Sequence, residues 1–458
     1  MSRLPCLALL LLTALPLLPQ ENNPAEKLPE EDISVSTEHP RLLLPPRRLR
    51  LLQRERERDS SRFRQMETLI VGKAAMPEPG FAWALYYQVS GAKEFGKQAV
   101  DWALNPQSKD LRQLALVFDW CQPLLSEAQS KVLADKLVRG AAALERNQGI
   151  PQVRDRVLAL IALVGHGPKN TEEQLKVVVN EWWRKQMAPG LRTGSKEVPR
   201  QDSYAMFEML HALRDSTNVE LRQDAAKYFK ELPAYHILSY YPAIFPAAEN
   251  EYRIPFYTAD GEPDLKTAAL SRAGDLAMVA YDTNAQETQF VQSWLIHDRF
   301  TMRGVFGITY EFLWANPYQP GLSYYHLPLF QHHSASGKLV LRSSWDDDAA
   351  WFHFSGMQAQ MFEGGVRKDL KLGSSPKPIE IAGTMIYFYH DNFRLDLESE
   401  PGETIYLLGL KPNTAYDVES DDRELEEKKT DAGGILPLKL TPKSKFGLRL
   451  RQSPVIPR

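Results

Sequence analysis

The sequence predicts an α+β multidomain chain, a long helical region followed by an antiparallel β-sheet domain. Three observations carry this. Apolar residues recur at helical spacing from near residue 46 to about Trp314. From Leu339 the period becomes two, in short β-rich runs separated by Gly, Pro, Asn and Asp. At 458 residues the chain exceeds what one core usually supports. The implied layout is an export signal over 1–20, a polar spacer over 21–38, a helical domain over 39–333 and a sandwich-like β domain over 334–458.

The first twenty residues pair Arg3 with the apolar run "LPCLALLLLTALPLL", too short to span a bilayer. Cleavage is expected near Pro19–Asn23, giving a periplasmic or extracellular protein. No later apolar run has membrane-spanning length; "VLALIALV" at 157–164 reads as a buried helix. Cys121 then remains alone, so no internal disulfide forms and a buried small hydrophobe is expected. The formal net charge of −3 argues against a surface built to coat nucleic acid.

In the helical region, Pro45 and Pro46 open a helix in which Leu49, Leu52, Phe63, Met66 and Ile70 share a face, with the Arg/Glu run between them solvated. "FAWALYYQV" and "KDLRQLALVFDW" are apolar almost all round, as helices buried between neighbours are. Ser126 with Gln129, and Thr171 with Gln174, have capping-box spacing. Helix pairs with short connections pack as a bundle, a solenoid or a closed ring, and no strict repeat of solenoid length is present.

In the β region, Asp346, Asp347 and Asp348 lie between "KLVLRSSW" and "AAWFHFSG", where aspartates favour a turn. His332 and His333 are adjacent, so a strand points them to opposite sides. His353 alternates with Trp351 and is open to either core or cleft.

No phosphate loop, zinc-protease helix, nucleophile elbow or C-x-x-C is present. Three constellations bear on chemistry. "VGHGPKN" sets His166 and Asn170 in a Gly-rich link, where a solvent-facing histidine is the plain alternative. "VPRQDSYAMFEMLH" puts Tyr204, Glu208 and His211 on one helical stripe just after Arg200, with a core-facing tyrosine as the alternative. Two aromatic loops, "AYHILSYYPAIFPAAENEYRIPFYTADGEPD" and "PYQPGLSYYHLPLFQHH", bring Tyr252, Arg253, Tyr324, Tyr325 and His326. Aromatic faces with polar edges suit sugar rings; the alternative is that the loops cover the seam between domains.

"HPRLLLPPRRLRLLQ", "LALVFDWCQPLLSEAQSKVLADKL" and "GKLVLRSSWDDDAAWFHF" together resemble the heparinase II/III-like polysaccharide lyases. The resemblance implies an incomplete α/α toroid before the β domain. It implies an acidic, uronic-acid-containing polysaccharide or oligosaccharide as partner, opened by β-elimination. Tyr204 then resembles the family's helical acid/base, His166 or His211 a second proton-transfer group, and Asn170 or Arg200 a carboxylate neutraliser. Tyr252, Arg253, Tyr324, Tyr325 and His326 would contact substrate. No cofactor is required, no metal ligand is assigned, and a divalent metal is left open.

One departure matters. The family carries histidine shortly after the "RSSW" strand pair, and Ser355–Pro376 has none. A non-catalytic glycan-binding or scaffold protein is therefore an alternative. A second alternative is a toroidal glycoside hydrolase, which needs two carboxylates across a cleft, with Glu208 and Glu249 or Glu251 as the pair.

Overall fold

The computed structural model describes residues 33–246, 251–297, 301–373, 377–389, 394–397, 404–420, 424–439 and 446–452. The expected export signal and Glu249 lie outside them. Of the expected spacer, residues 33–38 are described, and Ile33 and Val35 are buried in the helical core.

The α-helices are α1 (Pro46–Glu57), α2 (Ser61–Val71), α3 (Pro79–Ser90), α4 (Lys93–Leu104), α5 (Leu111–Trp120), α6 (Glu127–Ala143), α7 (Ile150–Leu163), α8 (Thr171–Val177), α9 (Ala188–Thr193), α10 (Ser203–Thr217), α11 (Ala226–Leu238), α12 (Leu265–Tyr281), α13 (Gln286–His297) and α14 (Ile308–Trp314). Alternate members form a ring: α3, α5, α7, α10, α12 and α14 neighbour one another in that order, and α14 returns to α3. Helices α4, α6, α11 and α13 pack outside it, so the helical part is an α/α toroid. Every residue of α5 is buried, which explains its apolar character all round, and most of α10 and α12 is buried as well.

Local signals explain several boundaries. Pro46 occupies the first turn of α1. The expected first helix is two, because Ser60 accepts a hydrogen bond from the Phe63 amide and starts α2. Ser126 makes a complete capping box with Gln129. Thr171 does not cap: it lies inside α8, and its hydroxyl donates to the Pro168 carbonyl at 2.6 Å.

The first aromatic stretch contains a hairpin, β1 (Tyr240–Pro246) with β2 (Glu251–Pro255). The remaining strands are β3 (Phe330–His333), β4 (Lys338–Arg342), β5 (Trp351–Ser355), β6 (Gln358–Glu363), β7 (Val366–Leu370), β8 (Ile379–Ile381), β9 (Thr384–Phe388), β10 (Arg394–Leu397), β11 (Thr404–Leu408), β12 (Ala415–Ser420), β13 (Glu424–Lys429), β14 (Leu436–Lys439) and β15 (Phe446–Gln452). They form three sheets, ordered β3-β4-β5-β6-β7, β14-β11-β9-β8 and β10-β15-β12-β13. Pairing is antiparallel except between β9 and β11.

Period-two alternation assigns each face its neighbour. On β5, Trp351 belongs to the helical core and His353 meets Tyr235 on α11, while Phe352 and Phe354 meet Ile386, Tyr406 and Leu408 of the second sheet. The second sheet's opposite face, with Tyr387, Ile405 and Leu407, packs on Tyr416, Val418 and Leu450 of the third. The aspartate triplet is the turn between β4 and β5. His332 and His333 do face apart: His332 Nε2 meets Asp431 at 2.8 Å, and His333 Nδ1 meets Glu231 at 3.4 Å.

Candidate functional site

Where the toroid meets the first sheet there is a cavity of about 520 Å³. Its walls come from the segment entering α10, the end of α11, the chain after β2, the start of α12, and β4. Tyr235, near the end of α11, sets its hydroxyl 3.1 Å from His353 Nε2 on β5. Lys338 Nζ lies 4.9 Å from the centroid of the same phenol ring and pairs with Glu197. Burial alone would lower the Lys338 pKa, but Tyr235 and Glu197 raise it above its ordinary value.

His353 is fully buried and stacked on Phe256 at 3.9 Å between ring centroids. Burial, with Lys338 adding to it, pushes its pKa down to about 3, so the ring is neutral. Its Nδ1 has no hydrogen-bond partner among the described residues.

A second group sits behind the cavity. Arg200 donates to the Ser271 hydroxyl (2.5 Å), the Ser239 hydroxyl (2.7 Å), the His236 carbonyl (2.8 Å) and Asp275 Oδ2 (3.4 Å), and its guanidinium covers the Tyr240 ring. Asp275 also receives the Tyr240 hydroxyl at 2.7 Å and His236 Nδ1 at 2.6 Å. Burial and then Arg200 push His236 down to about 4. Burial would raise Asp275, but Arg200 and His236 hold it below the ordinary carboxylate range.

Tyr204 is the second residue of α10, inside the ring, and is 3% exposed. Its hydroxyl donates to Glu208 Oε1 at 2.7 Å and accepts from Arg112 and from Trp314 Nε1, each at 3.2 Å. Glu208 also binds the Arg112 guanidinium through Nε and Nη2 and pairs with Arg154. Burial opposes ionisation of Glu208, yet Arg112 and Arg154 together bring its pKa to about 2. Burial and Glu208 raise the Tyr204 phenol well above its ordinary value. A carboxylate held this low is no proton donor near neutral pH.

His211 is on the same helix and fully buried, with Trp314 at 4.4 Å between ring centroids. Its Nε2 donates to the Ala277 carbonyl at 2.9 Å, and Nδ1 accepts from Arg48 at 3.2 Å. Burial and Arg48 push it down to about 4. Trp314 thus joins Tyr204 to His211, but neither lines the cavity. His166 follows the end of α7, whose last residue lies about 14 Å along the helix from Arg154. It is exposed, with Nε2 3.1 Å from His39, which is bonded in turn to buried Asp119. Asn170 is exposed before α8 and accepts from Gln174 at 3.4 Å.

The two aromatic loops meet at the aspartate turn. Arg253 donates to Asp347 at 2.9 Å, and Tyr324 stands edge-on to Trp345 at 5.4 Å and stacks with exposed Tyr325 at 4.6 Å. His326 is exposed, and Tyr252 lines a separate hollow beside Lys266 and Phe306. Of the residues singled out in the sequence, Arg200 is the one bordering the cavity between the toroid and the first sheet. Tyr235, His236 and Lys338 were not singled out: the first two stood inside a quoted aromatic stretch, and only tertiary packing brings Lys338 to them. Among the described residues no group of His, Cys, Asp and Glu has the arrangement to hold a metal.

No family model matches the chain, and no curated protein matches it. Among solved structures it is similar to "Crystal Structure of Heparinase III", at 11% identity and TM-score 0.42 over 81% of this chain and 76% of that one. It is also similar to a "Glycoside hydrolase", at 9% identity and TM-score 0.32 over 82% of this chain and 71% of that one. At TM-scores below 0.5 neither similarity carries an assignment.

Proposed function

We propose that the chain is an exported protein that opens an acidic, uronic-acid-containing polysaccharide by β-elimination, in the cavity between the toroid and the first sheet. The observation that carries this reading is the Tyr235 hydroxyl, 3.1 Å from His353 Nε2 with Lys338 beside its ring, on the wall of a cavity. If His353 carries its proton on Nε2, it donates to the phenol oxygen and leaves only a lone pair unpaired at Nδ1. The other tautomer would bury an unpaired N–H, the costlier orphan. An N–H donor and a cation then stabilise the oxyanion formed when the phenol proton leaves.

In the elimination, Tyr235 enters as the phenolate, its own proton released to solvent. Its oxygen takes the C5 proton, the C–H electron pair becomes the C4–C5 double bond, and the C4–O bond breaks with its pair on the departing oxygen. The same proton passes to the departing oxygen. Arg200 and Lys338 are the cations near the substrate carboxylate. This moves the acid/base role from Tyr204 to Tyr235, because a phenol bound to an ionised carboxylate resists losing its proton.

The mature protein, incubated with a panel of uronic-acid polysaccharides, should produce unsaturated ends detectable by absorbance, and Tyr235→Phe should produce them at least about a hundredfold more slowly. Cleavage at full rate by Tyr235→Phe would sink the assignment. One observation favours binding without cleavage as a second reading: Glu197 and Asp275 already engage the two cations. Binding of the same polysaccharides with no unsaturated product would select it.

A further inference from the structure

At the other end of the ring, where α10, α12 and α14 terminate, lies a groove of about 770 Å³ bounded along one side by α1. Six arginines line it (Arg47, Arg48, Arg54, Arg58, Arg62 and Arg214) against three carboxylates (Glu55, Asp215 and Asp282). Arg48 and Arg214 are used internally: both reach His211 and Asp215, and they offset the carbonyl ends of the helices. Arg47, Arg54 and Arg58 are different. They are exposed and have no acidic partner among the described residues. Arg47 and Arg54 lie seven apart on α1, and Arg58 caps its end four residues further on, with steps of about 10 and 6 Å. The groove also presents Tyr318, 64% exposed, beside Asn284, Asn316 and Gln319. Three buried polar atoms on its walls, Arg62 Nε, Glu55 Oε2 and Asp215 Oδ2, lack hydrogen-bond partners among the described residues.

The geometry points to a second binding site here, a groove for a strand of acidic glycan, distinct from the cavity and resting on the acidic-polysaccharide reading for its ligand class. A row of exposed cations along one side matches a polymer that carries a row of anions. Amide side chains suit hydroxyl groups, and one exposed aromatic face suits a sugar ring. A single-stranded nucleic acid would call for a series of aromatic platforms.

The test is the affinity of the whole mature protein for a sulfated and a carboxylated polysaccharide, measured across salt concentrations. The triple variant Arg47→Ser/Arg54→Ser/Arg58→Ser should bind at least about tenfold more weakly, with a shallower salt dependence. Its melting temperature and its cleavage of short oligosaccharides should not change. Tyr235→Phe should keep the parental affinity, so loss of cleavage and loss of groove binding are read separately. Parental affinity in the triple variant overturns the inference. So does equal binding of a neutral polysaccharide, or tighter binding of single-stranded DNA or anionic vesicles.

Discussion

Arg253 Nη2 donates to Asp347 Oδ1 at 2.9 Å, tying the hairpin of the toroid to the turn between β4 and β5. The neighbouring Trp345 receives Tyr324 from the second aromatic loop, so one short turn gathers both. The aspartates form a turn, and its middle member also makes a cross-element ion pair.

Because Asp347 is 56% exposed, this pair behaves as a surface salt bridge worth about 0–1 kcal/mol. Asp347→Asn should therefore lower stability by less than about 1 kcal/mol in denaturant melts. A loss of several kcal/mol would show that the turn holds the two parts together.

Glu208 makes the opposite case. It is fully buried between Arg112 and Arg154. Removing its charge leaves two cations short of a partner, a change that typically costs about 3–5 kcal/mol. Glu208→Gln should show that loss by denaturant unfolding. Near-parental stability would mean that the arginines find other carboxylates.

The pH dependence follows from buried neutral imidazoles. His211 and His236 are held at about 4 and His353 at about 3, below the ordinary histidine value of about 6.5. Between those limits the unfolded chain binds protons that the native chain refuses. Stability is thus complete above about pH 6.5 and falls as the pH drops toward 4 and 3. Glu208, depressed to about 2, extends the loss below about pH 4. Melting temperature should fall steadily from pH 7 to pH 4, and His353→Gln should flatten part of that slope. A flat profile would contradict the assigned neutral states.

Periodicity made the helix-then-sheet order readable, and the two faces of β5 show why. Trp351 and His353 against Phe352 and Phe354 is an alternation that any register of this strand preserves. Periodicity alone left bundle, solenoid and ring open, and the toroid was expected only through the family resemblance, because its closure rests on α14 meeting α3 across more than two hundred residues. The hairpin β1–β2 was hidden by prolines and aromatics that read equally well as loop. At the site, the spacing of Tyr204, Glu208 and His211 correctly put them on one helix, but spacing is silent about what faces that helix. Arg112 and Arg154, from α5 and α7, turn the stripe inward. Tyr235, Lys338 and His353 lie on α11, β4 and β5, and no local pattern joins them.

Cys121 is fully buried, and burial pushes its thiol up to about 12. A thiol in that state is unreactive. Reducing agent should leave the melting temperature unchanged, and thiol reagents should label the native protein only after unfolding. Rapid labelling of the native chain would contradict this burial.

The decisive pair of variants is Tyr204→Phe and Tyr235→Phe. Each removes one hydroxyl and keeps the ring. At Tyr204 the hydroxyl joins Glu208, Arg112 and Trp314 within the ring, so its loss leaves the Trp314 N–H and part of Glu208 unpaired. That costs about 1–3 kcal/mol of stability. Turnover by the remaining folded protein should be nearly unchanged. At Tyr235 the hydroxyl faces His353 at the cavity wall, and the His353 atom it leaves has one partner fewer. Stability should fall modestly there, while turnover falls by the 10²–10⁴-fold that general acid–base help is typically worth, roughly. KM should move little, because the proton is in flight only in the transition state. The two variants thus exchange effects, stability for one and rate for the other. The reverse pattern, a collapse of turnover in Tyr204→Phe with Tyr235→Phe active, would place the chemistry inside the ring mouth with Arg154 and Arg112 as its cations.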